Sequence, residues 1–245
     1  MRDAGLSVRA FFTTRHGGYS EGPYASLNVG DHVGDAADAV RANRARVAEH
    51  AGAPVTFLRP THGRDVALIE VAGAEAPEAD ILVTATPGVA LATLGADCVP
   101  LVMHDGATGA VAAAHIGRRG LVEGTVDATV AALLSLRGAH GGLLSAVVGP
   151  AICAACYEVP EAMRDEAAHL HPAAWATTRQ GTPALDIPGA VAARLEMRGV
   201  TVTRHGACTA EDPDYFSHRR DGVTGRHAGV IVCGSRGVSL RGEKP

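Results

Sequence analysis

Apolar positions along this chain gather in short, dense runs, and the densest block lies between residues 55 and 117. VTFLR (55–59), VALIEV (66–71), ILVTAT (81–86), VALATL (89–94), LVMHD (101–105) and AVAAAHI (110–116) follow one another there, separated by glycine, proline and aspartate. Runs of that length between turn residues predict strands. Several are continuously apolar rather than alternating, the pattern of strands covered on both faces. AVAAAH would suit a helix by propensity alone. VRAFFTT (8–14) predicts a first strand, LSAVVGP (144–150) a later one, and VTVTRHGA (200–207) and HAGVIVCG (227–234) two closing strands.

Helical spacing takes over elsewhere. DAADAVRANRARVAEHAG (35–52) places Val40, Val47 and several alanines on one face, with Asp35 as N-cap and Gly52 just past the end. LVEGTVDATVAALLSLRG (121–138), a segment near 160–170 and LDIPGAVAARLEMRG (185–199) predict three more, with Pro188 tolerated in a first turn. The expectation is a mixed α/β (α+β) chain with a strand-rich centre flanked by helices, read as one domain over 1–245. No internal repeat or linker interrupts it.

Composition narrows the classes. The 245 residues are 47% hydrophobic, 20% charged and only 4% aromatic, so the core must be built from Ala, Val and Leu. A net charge of -4 argues against a nucleic-acid binder that relies on phosphate attraction. No apolar stretch is long enough to span a membrane, and the N-terminus lacks the apolar core of a secretion signal. A cytoplasmic protein, monomeric or weakly homo-oligomeric, is expected. Five cysteines in such a chain suggest chemistry or packing rather than disulfides.

Three positions share a grammar: His62 in RPTHGRD, Cys98 in GADCVP and His115 in AHIGRRG, each beside the end of an expected strand. Imidazole and thiolate are ligands that zinc prefers, and a catalytic zinc keeps three protein ligands and one open position. The plainer alternative makes Cys98 a small buried hydrophobe and the histidines hydrogen-bonded turn residues.

FTTRHGGYSEGPYASLNVGDHVGD, PTHGRDV, ADILVT, GADCVPLVMHD, AAAHIGRRG, VVGPAICAACYEV and CTAEDPDYFSHRRDGVTGRHAGVIV occur in that order. Together they resemble the laccase-domain (YfiH-type, polyphenol oxidase or PgeF) family, whose members are described as purine nucleoside phosphorylases. The resemblance covers nearly the whole chain. It implies a compact fold akin to cytotoxic-necrotizing-factor catalytic domains, and a catalytic zinc on His62, Cys98 and His115. It further implies phosphorolysis of adenosine, inosine and S-methyl-5′-thioadenosine, so that the partners are a nucleoside and phosphate, with adenosine deamination as a side activity. Two departures stand out. Arg118 replaces the tryptophan of the family's HAGWRG, and Pro60-Thr61-His62 replaces its QxHG.

Arg15, Arg219 and Arg220 lie in glycine-bordered polar loops and are candidates to hold phosphate. Asn28 is a candidate for a substrate hydroxyl or a turn cap. Asp97, read as a strand residue facing away from Cys98, is expected to play a structural part. Cys153 and Cys156 form a CxxC with no partner CxxC, so packing is the expectation, as for Cys208 and Cys233. The single HxH, His169 and His171, is expected to be exposed.

Zinc chemistry suits attack of an activated water on C6 of adenine, although the HxE proton shuttle of known zinc deaminases is missing. Three rival readings remain. Copper-dependent phenol oxidation would recruit Met103 as axial ligand. A metal-free hydrolase editing peptidoglycan precursors would use Cys98 as nucleophile and His115 as base. The third is a non-catalytic scaffold.

Overall fold

The computed structural model describes residues 1–136 and 143–234. Two sheets stack face to face. The first has five strands in the order β1 (Arg2–Asp3), β2 (Ala10–Phe12), β13 (His227–Val232), β6 (Ala90–Gly95) and β3 (Val55–Phe57). The second has six, in the order β12 (Thr201–Arg204), β9 (Leu144–Val148), β7 (Val99–Asp105), β8 (Val111–Ile116), β5 (Ile81–Thr84) and β4 (Val66–Leu68). Most neighbours are antiparallel; β3–β6, β4–β5 and β9–β12 are parallel.

Period-2 alternation explains the continuous apolar runs. In the six-stranded sheet, Val102, Val111, Ala113 and Val147 face the first sheet and pack with Phe12, Leu91 and Ile231. Leu101, Met103, Ala112 and Ala114 face the other way, toward α3 (Thr125–Ser135) and α5 (Ile187–Met197). The outer face of the five-stranded sheet carries Phe11, Ala92 and Val230 under Val47 of α1 (Ala37–Ala51). Four layers result, helix, sheet, sheet, helix. The inner strands of both sheets are buried on both faces even though the pairing is largely antiparallel, while the edge strands β1, β4 and β12 are largely exposed.

The helices differ from the sequence expectation in instructive places. Asp35 does not cap α1: its Oδ2 accepts from Ser20 Oγ at 2.6 Å and Asn28 Nδ2 at 2.9 Å instead. Gly52 does end that helix, at φ 71. The helix expected over 121–138 is two: α2 (Arg118–Glu123) and α3, broken at Gly124 with φ 89, and residues 137–138 lie outside the described residues. Thr125 Oγ1 at that break donates to the carbonyls of Gly63 (2.6 Å) and Gly120 (2.8 Å), which ties the 62–63 loop to the helix pair. α4 (Glu161–Leu170) and α5 fall where expected, and Asp186 caps α5 by accepting from Gly189 N at 2.8 Å. The small β10 (Trp175–Thr177) and β11 (Pro183–Leu185) hairpin, and the one-turn α6 (His218–Asp221), carry no apolar period and were not expected. Among the described residues no helix is long and apolar enough to cross a membrane.

Candidate metal centre

The chain crosses from one sheet to the other in three residues, Ala96, Asp97 and Cys98, between the end of β6 and the start of β7. A step that short demands a sharp turn, and Asp97 makes it at φ 99, a left-handed conformation uncommon for a side-chain-bearing residue. The strand placement expected for Asp97 is therefore corrected. Its carboxylate holds the turn by accepting from Thr209 Oγ1 (2.7 Å), Ser217 Oγ (2.7 Å) and the backbone N–H of Arg219 (2.6 Å). The turn leaves Cys98 half-buried at the seam between the sheets.

His115 reaches the same seam from β8, on the face shared with Val111 and Ala113. His62 comes from the loop after β3, also at a left-handed φ of 62. One ligand atom from each of His62, Cys98 and His115 lies within 4.8 Å of the others. The two imidazoles stand edge to face, with centroids 4.6 Å apart at 83°.

Asp80 organises the trio. Fully buried, it accepts from His115 Nδ1 at 2.8 Å and from the backbone N–H of His62 at 3.0 Å through Oδ1. Its Oδ2 accepts from Thr61 N (3.3 Å), Thr61 Oγ1 (2.6 Å) and Gly63 N (2.7 Å). Burial would raise this carboxyl, but these donors together hold it well below the usual carboxylate range. The bond at Nδ1 leaves His115 Nε2 for a cation, the orienting device seen around metal-ligating histidines. Thr61, in the departure from QxHG, thus belongs to the network that holds the ligand loop.

Electrostatics prepare the sulfur. Burial pushes the Cys98 thiol up, yet the adjacent His115 and His62 rings bring it down to about 6. Burial pushes His115 down, while the Cys98 sulfur and Asp80 raise it to about 9. The pair thus favours thiolate, the ligand form of cysteine. Space is kept as well: a Cβ on Gly117 would come 3.0 Å from Cys98 Sγ and 3.3 Å from His62 Cδ2. Two imidazoles, one thiolate and an uncrowded approach fit a zinc ion with an open position.

The trio opens into a cleft of about 420 Å³. Over residues 9–234 the sequence matches the profile of the family described as multi-copper polyphenol oxidoreductase laccase. The chain belongs to this family. A Streptomyces griseus relative, named a purine nucleoside phosphorylase, is 50% identical over 233 residues, covering 92% of this chain and 94% of its own. A Streptomyces coelicolor relative bearing the same name is 48% identical over 237 residues, covering 94% and 98%. Among solved structures, a Neisseria meningitidis protein superposes with a TM-score of 0.82 at 37% identity, covering 94% of this chain and 96% of its own. Bacillus licheniformis YfiH gives 0.82 at 30%, covering 92% of both chains. The mixed α/β, YfiH-type fold expected from the sequence is the fold these proteins share.

Placement of the candidate substrate residues is uneven. Arg219 lines the cleft, but its NH1 and NH2 donate to the carbonyls of Cys156 (3.2 Å) and Glu158 (3.0 Å) while it stacks over Tyr157. Arg15 is away from the cleft lining, bonded through Nε to Ala25 O and stacked on Phe216. Arg220 braces its own loop through the carbonyls of Thr209, Asp212 and Tyr215. Asn28 is buried, and its Oδ1 accepts from Gly30 N and Arg226 N. It therefore positions Arg226, a half-buried cleft residue that sequence reading passed over. Arg118, in the tryptophan's place, lines the cleft and pairs with Glu166 at 3.6 Å.

Met103 is not a neighbour of the trio. It lies fully buried in the helix-facing core, five strand positions beyond Cys98, roughly 16 Å of extended chain. Cys233 is a core residue. His169 is exposed, whereas His171 is half-buried and hydrogen-bonded to the Leu121 carbonyl at 3.0 Å. Cys153, Cys156 and Cys208 converge with Glu211 rather than dispersing into the core. Burial and the neighbouring thiols push the Cys153 and Cys156 thiols up, Cys156 to about 12.

Proposed function

We propose that this protein is a zinc-dependent purine nucleoside phosphorylase acting on adenosine, inosine and S-methyl-5′-thioadenosine. The observation that carries the reading is one cleft lined by both His62–Cys98–His115 and three guanidinium groups, Arg118, Arg219 and Arg226. It occurs in a chain 50% identical to a protein named for that activity.

Phosphorolysis breaks the C1′–N9 bond, leaves its electron pair on the purine, and forms a bond from C1′ to a phosphate oxygen. Leu94, Ile116, Ile152 and Ile187, with Tyr157, offer the flat base an apolar wall. Phosphate calls for a fixed cation. Arg226 suits it, because NH1 is anchored on the Thr224 and Gly225 carbonyls at 3.0 and 2.9 Å. Arg219 has its fork on backbone carbonyls and positions Tyr157 instead. His62, Cys98 and His115 would hold the metal, and Asp80 keeps His115 in the tautomer that presents Nε2. When bound, zinc supplies Lewis-acid stabilisation of developing negative charge. His32 and His218, the other histidines of the lining, are the candidates to protonate the departing base.

Deamination of adenosine needs a proton carrier too. Asp97, the one carboxylate lining the cleft among the described residues, has both oxygens engaged in its turn.

The test is a nucleoside panel with and without phosphate, read by chromatography. Free base together with ribose 1-phosphate, formed only when phosphate is present, is the expected result. Inosine accumulating from adenosine would reveal the deaminase arm. Phenol oxidation by the copper-loaded protein, with no base released by the zinc-loaded one, would overturn the reading.

A second reading is favoured by one observation. Cys98, His115 and Asp80 line up as thiolate, imidazolium and buried carboxylate, the arrangement of a cysteine hydrolase. A chelator separates the two, since a thiol enzyme keeps its activity when metal is removed.

A further inference from the structure

Two turns outside the cleft each present a pair of potential ligand atoms at the same spacing. Cys153 and Cys156 follow β9 as C-x-x-C, in a turn closed by Cys156 N and Tyr157 N donating to Cys153 O, both at 3.0 Å. Cys208 and Glu211 follow β12 as C-x-x-E, in a turn closed by Glu211 N and Asp212 N donating to Cys208 O at 3.1 and 2.8 Å. Backbone pairing holds the turns against each other: Ala151 bridges Cys208 in parallel, and Thr209 N donates to Ala151 O at 3.1 Å. Cys153 N also donates to Cys208 Sγ at 3.3 Å, the kind of N–H···S contact that steadies a metal-bound sulfur.

The four ligand atoms lie within 4.8 Å of one another. Three sulfurs and a carboxylate so arranged repel one another as anions, and the facing cation is Arg179, paired with Glu211 at the exposed rim. Two pairs at C-x-x-C spacing, brought together as a four-cornered set, make the donor arrangement of a closed tetrahedral site.

We propose that Cys153, Cys156, Cys208 and Glu211 form a second, structural zinc site, separate from the His62–Cys98–His115 cluster. With four protein ligands it leaves no open position, so its part is mechanical. It clips the segment bearing Ile152 and Tyr157 of the cleft wall to the segment whose Thr209 holds the Asp97 turn beside Cys98. The sequence reading of these cysteines as packing is replaced by ligation.

The test uses the full-length chain purified under reductant, with Cys98→Ala removing the sulfur of the first cluster. Cys98→Ala protein is expected to retain one zinc per chain by elemental analysis. Loaded with cobalt, it should show the intense near-ultraviolet absorption of thiolate-bound cobalt. Adding Cys156→Ser, at a half-exposed position, should remove that band and the zinc. Should the double variant fail to fold, Glu211→Gln in the Cys98→Ala chain serves instead, with cobalt affinity expected to fall at least tenfold. Three results would overturn the proposal: no metal in Cys98→Ala protein, metal that survives these substitutions, or a disulfide among the three cysteines under reductant. None of them touches the phosphorolysis reading, which is assayed on the unsubstituted chain.

Discussion

Asp80→Asn changes one atom and a charge at the centre of the network. In the native site five hydrogen bonds converge on the carboxylate, two on Oδ1 and three on Oδ2. An amide keeps one oxygen and must aim N–H groups at the remaining donors. If its nitrogen takes the Oδ2 position, it confronts the backbone N–H groups of Thr61 and Gly63. If it takes the Oδ1 position, His115 must accept at Nδ1 and carry its proton on Nε2, the atom we propose binds the metal. One orientation loosens the His62 loop and the other blocks His115. Leaving one or two buried donors unpaired costs about 1–3 kcal/mol each. With about 3 kcal/mol lost, the melting temperature of a chain this size falls by roughly 6–12 °C. Disturbing the partner of a ligating histidine weakens metal binding about 10–100-fold, or roughly 1.4–2.7 kcal/mol. Competition titration against a chromophoric chelator reads the affinity, and a melt of the chelated protein reads the stability. Metal affinity within twofold of the native protein, in a folded variant, would refute the role given to Asp80.

Gly117→Ala should lower metal content with little change in the melt of the metal-free protein. The added Cβ would lie 3.0 Å from Cys98 Sγ and force the ligands apart; full zinc occupancy would contradict this. Arg226→Gln should raise the KM for phosphate about tenfold or more, as expected for a lost charge-assisted bond, and leave the KM for nucleoside nearly unchanged. Equal effects on both would remove Arg226 from the phosphate site. His227 is fully buried, with Nε2 on the Pro150 carbonyl at 3.3 Å and no partner at Nδ1, and burial pushes it down to about 4. Its neutral form is favoured in the fold, so stability is complete above pH ~6.5 and is lost as pH falls toward ~4, by about 3 kcal/mol in all. Melting temperature against pH should therefore fall more steeply in the native protein than in His227→Gln across that window; parallel curves would sink the argument.

Much of this was legible in the residues. Spacing alone left His62, Cys98 and His115 open between metal ligands and turn residues, and the family resemblance singled them out. Buried strands and the four main helices, by contrast, announced themselves through apolar runs and helical spacing. Asp80 did not, because a carboxylate before a buried strand looks like any strand-opening aspartate until its five donors arrive from elsewhere in the chain. Arg226 was hidden for the same reason, as was the part of Asn28, a named candidate, in holding it. Their pairing spans the whole sequence, and loop composition favoured Arg15 and Arg220, whose guanidinium groups brace backbone carbonyls or stack on a ring. Asp97 shows the converse failure, since period-2 reasoning places it on a strand, whereas the crossing between sheets bends it into a left-handed turn. The sulfur cluster escaped because its two halves are local pairs of an ordinary kind, made suggestive only by the bridge between Ala151 and Cys208.

The most direct test is an anomalous difference map from crystals of the zinc-bound protein, collected on either side of the zinc absorption edge. The account predicts a peak at bonding distance from His115 Nε2, Cys98 Sγ and an imidazole nitrogen of His62 together. A map without a peak there, from protein that retains its activity, would contradict it.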